Sequence, residues 1–158
     1  MGIEIERKFL VNPEKWGALK KPSGTHYHQG YLLDDVNCTI RVRLAGKVGF
    51  ITIKGPNLGI TRKEFEYKIP AAEASELIGG FAKSAVEKVR YKIKFAGKLW
   101  EVDEFLGDNE GLLMAEIELK DEHEVFEKPA WITAEVSGDV RYYNSNLANN
   151  PFKNWRKK

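Results

Sequence analysis

Alternation of charge and hydrocarbon at every second residue is the feature that most limits what this chain can fold into. In Gly2-Ile3-Glu4-Ile5-Glu6-Arg7-Lys8-Phe9, the charged Glu4, Glu6 and Lys8 alternate with Ile3, Ile5 and Phe9, and only Arg7 breaks the rule. A strand sends successive side chains to opposite faces, so this segment has one ionic face and one apolar face. The pattern returns in Thr39-Ile40-Arg41-Val42-Arg43-Leu44, Ile51-Thr52-Ile53-Lys54 and Arg62-Lys63-Glu64-Phe65-Glu66-Tyr67. It appears again in Lys88-Val89-Arg90-Tyr91-Lys92-Ile93-Lys94-Phe95, Trp100-Glu101-Val102-Asp103, Ala115-Glu116-Ile117-Glu118-Leu119-Lys120 and, more weakly, Thr133-Ala134-Glu135-Val136.

Ordinary solvent-facing strands mix Ser, Thr, Asn and Gln with charge, whereas these faces are almost purely Glu, Asp, Lys and Arg. In an open sheet each exposed ion pair is worth only about 0–1 kcal/mol, which gives such uniform patterning little to reward it. A closed barrel with the ionic face inward lets opposing charges pair around a water-filled lumen while helices cover the apolar outside. The predicted fold class is therefore α+β, mainly antiparallel β: an eight-stranded closed barrel with an ionic lumen and a few external helices, built from the segments above.

Turn residues at 34–37, 45–47, 55–57, 96–98 and 107–109 separate these segments into hairpins. Asn12-Pro13-Glu14 opens a short helix running to Leu19, with a cap residue, proline at the first helical position and an acid in the first turn. A second helix runs from Pro70 to about Ala82, with Leu77, Ile78 and Phe81 expected to cover the barrel. No linker or low-complexity run divides residues 1–158, which read as one domain. Residues 154–158 read as a solvated basic tail, and Tyr142 and Tyr143 as packing on one end of the barrel.

A balance of 25 basic and 23 acidic residues, net +2, offers no global attraction for nucleic acid. No run approaches about 18 apolar residues, and the acidic N-terminus lacks the basic and then apolar order of a signal peptide. The expectation is a cytoplasmic protein without a membrane or nucleic-acid partner. Cys38 alone excludes an intramolecular disulfide and reads as a strand-entry residue; His26, His28 and His123 lack zinc spacing. The turn Lys54-Gly55-Pro56-Asn57 is no P-loop.

Taking one parity from each strand puts Lys8, Arg41, Arg43, Lys54, Arg62, Lys88 and Arg90 in the lumen with Glu4, Glu6, Glu64, Glu66, Glu101, Asp103, Glu116, Glu118 and Glu135. Guanidinium and ammonium groups suit phosphate oxygens. Phosphate alone leaves the acids unexplained. The pairs Glu4 with Glu6 and Glu116 with Glu118 supply hard oxygen ligands for Mg²⁺ or Mn²⁺, so a metal-bridged polyphosphate would use both sets.

The residues also resemble a known family. Glu4-Ile5-Glu6-Arg7-Lys8 matches the ExExK signature of the CYTH-domain proteins, the triphosphate tunnel metalloenzymes. The likeness continues through Arg41-Val42-Arg43, Ile53-Lys54, Arg62 to Glu66, Lys88 to Tyr91, Glu116-Ile117-Glu118 and the closing Glu135 to Ala148. The resemblance implies that Lys8, Arg41, Arg43, Lys54, Arg62, Lys88 and Arg90 hold the phosphates of a triphosphate. It further implies that Glu6, Glu116 and Glu118 hold a substrate-bound metal, one of one or two ions. Glu4 with Glu64 or Glu66 then serves a second metal or the attacking water, and Lys8, Glu4, Glu64 and Glu66 form the catalytic group. Inorganic tripolyphosphate is the expected substrate; class IV adenylate cyclase, thiamine or nucleoside triphosphatase, and a polyphosphate-binding module are the alternatives. Finally, the apolar parity, from Ile40 and Val42 to Phe65, Tyr67, Ile117 and Leu119, needs more cover than two or three short helices give, so a homodimer is expected.

Overall fold

The computed structural model of the protein describes residues 2–155. The elements are β1 (Ile3–Val11), α1 (Pro13–Ala18), β2 (Thr25–Asp35), β3 (Cys38–Ala45), β4 (Val48–Lys54) and β5 (Thr61–Ile69). They continue as α2 (Ala71–Phe81), β6 (Ser84–Phe95), β7 (Lys98–Phe105), β8 (Leu113–Glu118), β9 (Ile132–Glu135) and α3 (Asn144–Asn149). The strands run β5-β4-β3-β2-β6-β7-β8-β1, and a β5–β1 pairing joins the two ends. All of these pairs are antiparallel. The result is the predicted eight-stranded closed barrel, with β9 added outside the count.

Two strands differ from the sequence expectation. The segment from Thr25 to Asp35 is a wall of the barrel, seated between β3 and β6. Its inward side chains Tyr27, Gln29 and Tyr31 carry no charge, so ionic alternation does not mark it. The segment at Thr133 is not the eighth wall: β1 pairs with β5 along Ile3–Ile5, and β9 takes up the same strand near Phe9 and Val11. Glu135 lies opposite Phe9, on the outer parity, and accepts from the Arg7 guanidinium at 2.8 Å outside the barrel. Arg7 thus breaks the alternation of β1 because it has a partner of its own outside.

The apolar parity is packed from outside in patches. Phe9, Trp16, Trp100, Val102, Ile117 and Trp131 form one buried cluster over β1, β7 and β8, which α1 and the 119–131 segment cover. The Asn12 carboxamide accepts from the Lys15 N–H at 3.0 Å, Pro13 begins the helix, and Trp16 is its buried residue. Helix α2 lies over β2, β3 and β4 through Ala74 and Ile78, against Val42. A Cβ on Gly30 would stand 2.7 Å from that of Ala82, and one on Gly49 would stand 2.8 Å from that of Ala74. Two glycines therefore set how closely α2 approaches the sheet. Phe81 does not join this cover: it is the last residue of the helix and is 70% exposed.

One end of the barrel is filled. Val86, Phe105 and Met114 occupy the last inward positions and meet Leu147 of α3 in a buried cluster. Trp155, read from sequence as tail, packs edge-on against Tyr142 and Phe152 and holds this closure in place. Residues 156–158 of the expected basic tail lie outside the described residues.

Candidate functional site

Ladder register aims the charges. Every inward residue belongs to one parity, so Glu4, Glu6 and Lys8 of β1 enter the same cavity as Arg41 and Arg43 of β3, Lys54 of β4, Arg62, Glu64 and Glu66 of β5, Lys88 and Arg90 of β6, and Glu116 and Glu118 of β8. The cavity has a volume of about 360 Å³. All the lumen residues singled out by sequence line it except Asp103, which lies buried just behind Lys88 and Arg90, and Glu135, which faces outward.

The charges fall into two sectors. Arg41, Arg43, Lys54 and Arg62 make a cationic sector on β3, β4 and the start of β5, while Glu101, Glu116, Glu118, Glu6 and Glu4 make an acidic one on β7, β8 and β1. In the closed strand order β3 stands across the lumen from β8. Between the sectors, ion pairs stitch the wall. Lys8 Nζ lies 3.0 Å from Glu6 and 2.6 Å from Glu116; Lys54 Nζ lies 3.1 Å from Glu4 and 3.3 Å from Glu64. Arg43 reaches Glu66 at 3.2 Å, and the Thr52 hydroxyl donates to the same carboxylate at 2.8 Å. Glu64 and Glu66 are thus distinguished by their partners, Lys54 for one and Arg43 with Thr52 for the other.

The deepest layer is a buried network. Arg90 donates to both Asp103 oxygens at 2.8 and 2.9 Å and to Glu116 at 3.1 Å. Lys88, 1% exposed, lies 2.9 Å from Asp103. Burial alone would raise the Glu116 carboxyl, but Lys8, Arg90 and Lys88 together hold it well below the usual carboxylate range. For Asp103 burial is likewise outweighed, here by Arg90 and Lys88, and the shift is downward. Lys88 moves the other way from an ordinary lysine: burial draws its ammonium down to about 8 despite Asp103.

Both sectors carry an electrostatic deficit. Glu6 stands directly opposite Glu118 in the β1–β8 ladder, and like charges at such positions repel. Burial and then Glu116 raise the Glu6 carboxyl, while burial followed by Glu4, Glu6 and Glu101 raises that of Glu118. Across the lumen, burial and the neighbouring Arg41 and Arg90 lower the Arg43 guanidinium. The Nε–H groups of Arg41 and Arg43 are buried with no acceptor among the described residues. A cation would relieve the first deficit and an anion the second. Glu4, Glu6, Glu116 and Glu118 offer only hard carboxylate oxygens, a donor set that fits Mg²⁺ or Mn²⁺. Lysines pair with Glu4, Glu6 and Glu116 here, and among the described residues no three acids are gathered as a ready metal site.

Sequence alternation overlooked the uncharged part of the wall. Tyr27, Tyr31, Thr39 and Phe50 line the cavity from inward positions, and Ser137, Tyr143, Asn144 and Ser145 close it from the C-terminal segment. A period-two polar pattern, Tyr27-Gln29-Tyr31, was the available signal for β2. Asn144 lies in the Glu135 to Ala148 stretch that carries the resemblance, but no alternation marks its place in the lumen, which depends on how α3 folds back. The histidines stand apart from the lumen: His26 is exposed, its Nε2 2.9 Å from Glu87.

Fold and site together define a closed antiparallel barrel whose lumen is lined by opposed cationic and acidic walls. The chain belongs to the CYTH domain family, whose model matches residues 2–145. It is 52% identical over 157 residues to an inorganic triphosphatase of Acetivibrio thermocellus, with 99% of each chain covered. It is 36% identical over 149 residues to an inorganic triphosphatase of Nitrosomonas europaea, covering 92% of this chain and 96% of the relative. A crystal structure of an inorganic triphosphatase superposes with a TM-score of 0.64 at 33% identity, over 92% of this chain and 97% of that one.

Proposed function

We propose that this protein is a divalent-metal-dependent triphosphatase that hydrolyses inorganic tripolyphosphate to pyrophosphate and phosphate. The observation that carries the reading is the paired deficit of the lumen: buried arginine Nε–H groups without acceptors among the described residues on one wall and mutually repelling carboxylates on the other. A metal-bound tripolyphosphate satisfies both at once. The names of the close relatives support the same substrate.

In this reading Arg41, Arg43, Lys54 and Arg62 bind phosphate oxygens from one side, and Lys8, Lys88 and Arg90 bind them from the other. Glu6, Glu116 and Glu118, with Glu4, would hold one or two ions. Held there, Mg²⁺ or Mn²⁺ would supply Lewis-acid neutralisation of charge on the phosphoryl group being transferred. Glu4, Glu64 and Glu66 orient the attacking water and take up its proton. Water oxygen bonds to the terminal phosphorus, the bridging P–O bond breaks, and pyrophosphate leaves with the bonding pair. Lys8, its ammonium raised by Glu116 and Glu6 against the effect of burial, stays charged throughout.

In this reading the protein acts in the cytoplasm on a free small-molecule triphosphate, without nucleic-acid or membrane partners. Among the described residues no helix is long and apolar enough to cross a membrane. A homodimer covers the outer apolar strip formed by Ile53, Phe65 and Tyr67, which are 36%, 47% and 57% exposed.

The test is phosphate release from tripolyphosphate, ATP, thiamine triphosphate and pyrophosphate with Mg²⁺, Mn²⁺ or chelator, with cyclic AMP measured alongside. Tripolyphosphate with metal is expected to be turned over fastest. Undiminished hydrolysis in chelator, preferential conversion of ATP to cyclic AMP, or binding without release would each overturn the reading.

A further inference from the structure

The closed end of the lumen holds a contact that the strands do not supply. Asn144, the first residue of α3, places its Oδ1 2.8 Å from Lys88 Nζ and 3.1 Å from Gln29 Nε2. Gln29 is fully buried, donates also to the Tyr31 hydroxyl at 3.0 Å, and leaves its own Oε1 without a partner among the described residues. An ammonium has three N–H bonds in tetrahedral array. For Lys88, one points to Asp103 at 2.9 Å and one to Asn144, so the direction of the third is fixed. Asp103 alone would not fix it, because its oxygens are also taken by Arg90.

We propose that Asn144 is a positioning residue that clamps the Lys88 ammonium, so that its remaining N–H is held toward the lumen for a phosphate oxygen. The inference rests on the triphosphatase reading for the identity of that oxygen, but not for the clamp. It gives the C-terminal segment a role in the site: folding α3 across the barrel end delivers the neutral acceptor that completes the lysine. An uncharged acceptor suits this place. It orients the ammonium without adding a carboxylate that would compete with phosphate for it. The charged groups acting on Lys88 are Asp103 from β7, Arg90 from its own strand and Glu116 from β8. Because burial has already brought this lysine down to about 8, its titration lies in an accessible range, where a change in one neighbour is read directly.

The experiment compares the wild-type chain with Asn144→Asp, which keeps the shape and adds charge, and Asn144→Ala, which removes the acceptor. The Lys88 midpoint is read by NMR of protein labelled with ¹³C at the lysine Cε, using Lys88→Met to assign the signal. The aspartate should raise the midpoint by about one pH unit and the alanine should lower it. In tripolyphosphate hydrolysis, Asn144→Ala should lose about tenfold in kcat/KM, and the alkaline limb of each pH profile should follow the NMR midpoint. A Lys88 midpoint unmoved in the folded Asn144→Asp protein overturns the clamp. A moved midpoint with unchanged kcat/KM overturns its part in the reaction. A wild-type protein that releases no phosphate overturns the triphosphatase reading instead, and the NMR shift then still supports the clamp.

Discussion

Arg41 and Lys8 reach the lumen by the same parity but stand in different surroundings, and their substitutions should separate accordingly. Arg41 has a buried Nε without an acceptor among the described residues, a long 3.4 Å donation to the Thr52 hydroxyl and a 3.8 Å approach to Glu66, so the fold holds it only weakly. Arg41→Ala should lower tripolyphosphate turnover by about tenfold or more at nearly unchanged thermal stability, since a charge-assisted phosphate contact is lost. Lys8 lies between Glu6 and Glu116, and Lys8→Ala would leave buried carboxylates facing one another. That variant should lose activity and also about 3–5 kcal/mol of stability by denaturant titration. Arg7→Ala, outside the barrel, is the matched control and should retain activity. Lys88 gives the pH dependence at this scale. Its folded pKa, about 8, lies below the ordinary 10.5 of the unfolded chain, so between these values the unfolded state binds more protons and stability rises with pH. Melting temperatures across that window should show the rise in the wild-type protein and lose it in Lys88→Met.

At the scale of elements, the question is what seats the cover on the barrel. Helix α2 comes close to the sheet only because Gly30 and Gly49 lack side chains beneath it. Gly30→Ala and Gly49→Ala should each cost about 1–3 kcal/mol through overpacking, read as a shift in denaturation midpoint at unchanged slope. Strands β1 and β8 carry the acidic wall, and their facing Glu6 and Glu118 repel. Mg²⁺ or Mn²⁺ should therefore raise the melting temperature of the wild-type protein at neutral pH. Glu6→Gln and Glu118→Gln should reduce that gain while leaving the metal-free protein as stable as before or more so. An equal metal-induced rise in both variants would show that the ion binds elsewhere.

For the whole molecule, the outer faces are unequally covered. Val42, Val102, Ile117 and Leu119 are buried beneath α1, α2 and the 119–131 segment, whereas Ile53, Phe65 and Tyr67 on β4 and β5 remain exposed. Contiguous apolar surface of this kind favours association. Light scattering at micromolar concentration should give twice the 18.0 kDa of one chain, and Phe65→Lys should return it to the monomer mass.

The amino-acid sequence alone determined which side chains enter the lumen on β1, β3, β4, β5, β6 and β8, because period-two alternation fixes a face whatever the partner strand. The same rule determined that an apolar shell surrounds an ionic interior. What the tertiary structure decided is everything that depends on which strand sits beside which. Charge alternation could not reveal β2, since Tyr27, Gln29 and Tyr31 are neutral, and it placed Glu135 inside, although pairing beside Phe9 turns that residue out toward Arg7. Nor could it separate Glu64 from Glu66, which differ only in cross-strand partners. Asn144 lies farthest from what sequence conveys. It meets Lys88 across 56 positions of chain, and that distance closes only when α3 packs Leu147 against Val86, Phe105 and Met114.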